Sequence, residues 1–338
     1  MSKLGFAFLA GLIAGGSLSG IAVADDDAPP EAVFAHEGDP ADWQREWPHT
    51  DFAKHTVALG EIFDGGVPRD GIPSIDDPQF VRVAEVDWPG VEPLISVEID
   101  GDARAYPLRM LVWHQIVNDV VGGVPVAVTY CPFCNSSLVF DRRLNGTILE
   151  FGITGKLRHS GLVMYDRSTE SWWQQFQGEA IAGELSGAKL EMLPARLESV
   201  ATFKARWPEG FVLVPNDEIA RAYGFTPYAG YDGARPFMYR GELPEVIAPL
   251  ARVVRVGSEA WTLDLVRGEG EIRGNGLRLT WEPGRTSPLN AAAIAQGADV
   301  GNVLVERETA QGWQTAVYSI DFAFAFRAFY PDGPIHAQ

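Results

Sequence analysis

Asp100-Gly101, Asn145-Gly146 and Asn275-Gly276 each stand between runs that alternate apolar and polar residues, and this constrains the fold more than any other feature of the chain. Two-residue hairpins need positive φ at their central positions, which Asp-Gly and Asn-Gly supply at little steric cost. Three hairpins are therefore expected: Leu94–Ile99 with Ala103–Tyr106, Leu138–Leu144 with Thr147–Ile153, and Glu271–Arg273 with Leu277–Trp281. A fourth is expected from Leu162–Asp166 into Ser171–Phe176, turning through Ser168-Thr169. Trp113, Ile116, Val117 and Val120 recur at helical spacing, which predicts a helix from about Leu108 to Val121 ended by Gly122-Gly123. Shorter helices are expected at Ser199–Arg206 and Ala291–Gln296. Strands and helices nowhere alternate in the rhythm of a doubly wound sheet. The expected fold is β-rich α+β, mainly antiparallel hairpins with a few short helices.

The first 24 residues carry Lys3, an apolar run from Leu4 to Ala14, and Ala22-Val23-Ala24 ahead of three aspartates. This is the pattern of a secretory signal peptide cleaved near Ala24. Gly15, Gly16, Ser17, Ser19 and Gly20 break the run, which falls short of the roughly 20 apolar residues a spanning helix needs. No stable membrane insertion is expected after cleavage, and with no cysteine at the cleavage point a lipoprotein anchor is excluded. The expected location is exported, periplasmic or extracellular, where disulfides persist. The chain has 27 basic and 45 acidic residues and a net charge of −18, which loss of Lys3 with the signal takes to −19. Nucleic acid is excluded as a partner, because neutralising phosphates requires a basic surface. A protein or small-molecule partner is left open. Residues 25–68 read as an N-terminal leader, at best loosely packed up to about His55, where Ala, Asp, Glu and Pro dominate. Composition suggests a subdivision near Pro215.

Both cysteines of the 338-residue chain lie in Tyr130-Cys131-Pro132-Phe133-Cys134. Two thiols this close form a reversible disulfide or offer one metal ion two soft ligands. Cys-Pro-Phe-Cys resembles the glutaredoxin motif, which follows a strand and opens a helix. Val124–Tyr130 reads as the strand, but Leu138–Arg143 reads as a second strand where the helix should be. The helix N-terminus that lowers a glutaredoxin thiol's pKa is therefore expected to be missing. Copper or zinc would suit two thiolates joined by imidazole. His114 is the best third participant, as ligand or as a base near the thiols, and His159 is a further candidate. A structural disulfide bracing a bend is the remaining option, although so short a loop stabilises little.

A wider pattern follows from Gly71-Ile72-Pro73-Ser74-Ile75-Asp76, Ala105-Tyr106-Pro107-Leu108, Trp113-His114-Gln115-Ile116-Val117-Asn118-Asp119 and Val128-Thr129 through Cys134-Asn135-Ser136. It continues in Phe151-Gly152-Ile153-Thr154-Gly155, Met164-Tyr165-Asp166-Arg167, Ser171-Trp172-Trp173-Gln174, Asn216 to Asp232 and Phe329-Tyr330-Pro331-Asp332. In this order the blocks resemble the bacterial family labelled domain of unknown function 3179, from about Arg69 to Pro331. The resemblance implies one family domain over 69–331, export, and a Cys-Pro-x-Cys block, with no activity assigned. The family usually reads Asn-Ser-Asp where this chain has His159-Ser160-Gly161.

A second reading comes from Tyr223–Asp232, dense in glycine, proline and aromatic rings. Rings of this kind stack on sugars or peptides, which suggests a periplasmic binding module, or a hydrolase with an aromatic cleft. Its ligand-binding candidates are Tyr228, Tyr231, Asp232 and Trp172. Asp119, Asp141, Asp166 and Glu170 add carboxylates, but no serine elbow, phosphate loop or His-Glu-x-x-His is present. Whether the protein is an enzyme is left open by the sequence. Asp166 and Arg167 are expected to pair with each other near a turn, and Trp113 and Trp173 to lie in the core.

Overall fold

The computed structural model describes residues 40–216 and 221–337. The segment expected to be a signal peptide lies outside the described residues, and so does Asp217–Ala220, beside the subdivision expected near Pro215. Each α-helix among the described residues is seven residues long, about two turns, too short to be stable in isolation. The sheets carry the architecture.

Five sheets of four or five strands are joined by short turns, and nearly every pairing is antiparallel. The parallel ladders are Phe211–Val214 beside Asp102–Pro107, and Glu259–Thr262 beside Ile335–His336. The Asp100-Gly101 and Asn275-Gly276 turns make the hairpins their sequences predict, Pro93–Ile99 with Asp102–Pro107 and Glu271–Gly274 with Leu277–Glu282. Gly161–Asp166 likewise pairs with Trp172–Gln174. Asn145-Gly146 differs: it closes only Arg143-Leu144 on Thr147-Ile148. Beyond that ladder the chains diverge, Ser136–Asp141 onto Val124–Cys131 and Phe151–Arg158 onto Gly161–Asp166.

The helix expected to reach Val121 stops at His114, and Ile116–Val121 is a strand paired with Val124–Cys131. Four of its six residues are Ile or Val, whose branched side chains fit a pleat better than a helical turn. Gln115 makes the switch with φ of 59°. Gly122-Gly123, both at positive φ, is a hairpin turn and not a helix cap. Ser199–Arg206 is helical as expected, with Ser199 capping through Thr202 N–H. Ala291–Gln296 is reduced to one 3₁₀ turn at Ile294–Gln296.

One core cluster runs from Ile95, Leu111 and Val128 to Val254, Leu279 and Ile320, so segments on both sides of Pro215 bury the same core. A second gathers Cys131, Cys134, Phe151, Met164, Trp173, Phe322 and Phe329. A third holds Trp43, Trp47 and Phe52 against Tyr165 and Trp172. From Trp43 onward the leader is therefore packed, not loose. Ile62–Asp64 adds a strand to Phe151–Arg158, and Lys156 Nζ reaches Glu46 and Asp64 at 3.2 and 3.1 Å.

Candidate functional site

Cys131 ends the strand Val124–Cys131 and pairs with Ser136, leaving Pro132–Asn135 as the loop of a tight hairpin. Asn135 N–H returns to Pro132 O at 3.2 Å, and Asn135 takes φ of 52°, a conformation Asn tolerates better than most residues. The loop is held on both sides. Tyr130 Oη donates to Asn135 Oδ1 at 3.1 Å, Asn135 Nδ2 donates to Ile320 O at 2.9 Å, and Phe322 N–H donates to Cys134 O at 2.9 Å. A strand enters and a strand leaves, so the thiols lie on no helix, in agreement with the sequence pattern.

Both cysteines are free thiols, Cys131 1 % and Cys134 0 % exposed. Their environments differ. Burial pushes the Cys131 thiol up, but the Cys134 thiol and the backbone N–H groups of Cys134, Leu162 and Phe133 all favour its thiolate, and the net pKa falls below the usual 9.0. Burial and the neighbouring Cys131 push Cys134 well above that value. The Cys134 thiol, joined by backbone amides, thus does for Cys131 what a helix N-terminus does elsewhere. The Cys131 sulfur also meets Ser160 O at 3.7 Å. Ser160 and His159, at φ of 63° and 51°, form the two-residue turn from Phe151–Arg158 into Gly161–Asp166.

Cys131, but not Cys134, lines a cavity of about 130 Å³. Its floor is buried: Gln115, Pro132, Ile153, Lys156, Leu157 and Leu162. Its half-buried rim is Gly65, Val67, Ile72, Phe133, Tyr228 and Phe237. Gly155 closes the wall at φ of 77°, where a Cβ would stand 1.7 Å from Val67 O. Only glycine allows the leader and the sheet to meet there.

The histidines do not join the thiols. His114 donates from Nδ1 to Pro73 O at 2.8 Å and accepts at Nε2 from Tyr223 Oη at 2.8 Å. Burial holds it below the ordinary histidine pKa, with Arg221 adding to the effect. Its neighbour Gln115 is the residue that reaches the cavity. His159 Nε2 lies 3.4 Å from Glu61 Oε2, with its ring against Phe329 and Tyr239; the backbone of its turn, not its imidazole, faces Cys131. Among the described residues no group of three or more His, Cys, Asp or Glu is arranged to hold a metal ion. The four-ligand set Cys131, Cys134, His114 and His159 is therefore not assembled.

The aromatic segment belongs to the same site. Phe133 stacks on Phe237 at 4.4 Å and meets Tyr228 and Tyr231 edge-on at 5.3 and 5.4 Å. Tyr231 Oη donates to Phe133 O and accepts from Phe237 N–H, and Gln115 Nε2 donates to Tyr228 Oη at 3.3 Å. Burial pushes the Tyr228 phenol up to about 12. Asp232 instead binds Arg252 and Ser287, and Trp172 is fully buried under Trp43, Trp47 and Phe52, so neither offers a surface to a ligand. The other carboxylates are also structural: Asp119 on Arg104 and Tyr106, Asp141 on Arg143, Glu170 on Arg69. Asp166 and Arg167 do not pair with each other. Asp166 accepts from Thr169 and Trp173, while Arg167 reaches Asp76 and Glu150. Trp173 lies in the core as expected; Trp113 is half-buried and donates to Phe225 O. Gln115, Lys156, Gly155 and Phe237 escaped the sequence reading, although Gln115 and Gly155 stand in blocks it singled out.

Fold and site together define a largely antiparallel, several-sheet protein with a buried dithiol hairpin beneath an aromatic loop. The chain belongs to the family described as Protein of unknown function (DUF3179), which matches residues 69–333. Neither a curated protein nor a solved structure matches it.

Proposed function

We propose that Cys131 and Cys134 form a thiol redox centre in an exported protein, with Cys131 attacking and Cys134 resolving. The observation that carries this is the asymmetry of the pair: Cys131 lines the cavity and its pKa is held down by the Cys134 thiol and neighbouring backbone N–H groups, while Cys134 is fully buried, lines no part of that cavity and is pushed up. The Cys131 thiolate attacks one sulfur of a substrate disulfide, and the first substrate thiolate leaves and takes a proton. Cys134 then loses its proton and displaces the second thiolate from Cys131. Two electrons have passed to the substrate and the Cys131–Cys134 disulfide remains. Run backwards, the same steps oxidise a substrate dithiol, the direction favoured in an oxidising compartment. Export rests on the N-terminal sequence, and among the described residues no helix is long and apolar enough to cross a membrane.

Two sulfurs without a third ligand suit copper(I) better than zinc, which takes four ligands. One preparation separates the outcomes: mature protein from the exported fraction, purified without chelator, reduced and then treated with hydrogen peroxide. Peroxide converts the Cys131 thiolate to a sulfenic acid with release of hydroxide, and Cys134 displaces water to close the disulfide. The expected result is joint loss of both thiols, reversed by dithiothreitol, with Cys134→Ser stopping at the sulfenic acid. Thiols inert in the native protein, or near-stoichiometric copper that disappears in Cys131→Ser, would overturn the redox reading.

A further inference from the structure

The cavity over Cys131 also restricts what reaches the sulfur, and we infer that the centre acts on small, uncharged, largely apolar sulfur compounds such as dialkyl disulfides and their thiols, not on proteins or glutathione. This rests on the redox reading of Cys131 and Cys134. An apolar cavity of about 150 Å³ admits a benzene ring. At about 130 Å³, this one takes a molecule of roughly half a dozen heavy atoms. With Cys131 only 1 % exposed, a disulfide must enter the cavity before its sulfur comes within reach.

The lining sets the chemistry of the guest. Val67, Ile72, Ile153, Leu157, Leu162, Phe133 and Phe237 are apolar. The one charged lining residue, Lys156, is already spanned by Glu46 and Asp64, so a substrate carboxylate entering here would be desolvated without a free counter-charge. Gln115 and Tyr228 bond each other and provide one place for a single polar group. The two tripeptide arms of glutathione disulfide, each bearing carboxylates, match neither the volume nor this lining. For dimethyl disulfide, Cys131 attack releases one methanethiolate, which is protonated. Cys134 attack on the Cys131 sulfur then releases the second, leaving two methanethiols and one protein disulfide.

The test uses the full mature chain, reduced, with dimethyl disulfide and glutathione disulfide as separate oxidants, each rate normalised to that with free N-acetylcysteine. The expected result is a preference for dimethyl disulfide of at least about tenfold, the scale on which pockets discriminate by size. In Cys134→Ser, mass spectrometry is expected to find one methylthio group on Cys131. Ile72→Trp, a change at the half-buried rim, is expected to slow dimethyl disulfide while leaving the circular dichroism unchanged. Equal normalised rates, or an Ile72→Trp variant as fast as the parent, would overturn the substrate class while leaving the redox centre standing. If neither oxidant closes the disulfide, the redox reading falls with it.

Discussion

Cys131 owes its lowered pKa to hydrogen bonding that outweighs burial, and the Cys134 thiol is the largest of those contributions. Cys134→Ala removes it and leaves burial less opposed. The Cys131 pKa is then expected to rise, and alkylation by iodoacetamide at pH 7 to slow, with the inflection of its pH–rate profile moving upward. His114 gives a prediction of opposite chemical sense. Burial in the folded chain disfavours the charged ring, and the nearby Arg221 adds to the effect. With the folded pKa below 6.5 for His114, and for His159 too through burial and Arg158, the unfolded chain takes up protons first. Stability from these two groups is complete above pH 6.5 and is lost as pH falls through the folded values. Urea midpoints measured between about pH 7.5 and 5.5 are expected to fall with pH, and to fall less steeply in His114→Gln.

Among the elements, the strand Phe151–Arg158 does most to shape the site. Its register shifts between Ile153 and Leu157, and the bulge sets Gly155 against the leader at Val67. Gly155→Ala meets both a positive φ and a backbone oxygen, so a loss of about 1–3 kcal/mol or more is expected in thermal or urea unfolding. The displaced loop at 65–67 is also expected to change the rate of Cys131 modification. Local pattern was sufficient for hairpins whose turn and strands agree, as at Asp100-Gly101. It failed at Ile116–Val121, where a helical spacing of apolar residues coincided with a β-branched run that a neighbouring strand could pair. Periodicity over two turns does not separate those cases; the partner strand does.

For the whole molecule, the family match begins at residue 69, but the structure does not. Trp43, Trp47, Phe52, Ile62 and Phe63 are all buried, and fully burying a large apolar side chain contributes about 1.5–3 kcal/mol. Five such side chains equal much of the roughly 5–15 kcal/mol that holds a typical domain folded. A chain starting at Arg69 is therefore expected to be unfolded or aggregated, seen as lost near-ultraviolet circular dichroism. It would also lack Gly65 and Val67 from the rim of the thiol cavity.

By itself the sequence determined the antiparallel character, the strand–turn–strand setting of Cys131 and Cys134, and the family, because turn dipeptides, alternation and ordered motif blocks are local properties of the chain. Only the tertiary structure decided that the aromatic segment around Tyr228 roofs the thiols, that His114 and His159 are engaged elsewhere, and that the leader completes the cavity. Those facts depend on contacts between residues far apart in sequence, and their energies come from burial and hydrogen bonding that exist only once the sheets have assembled.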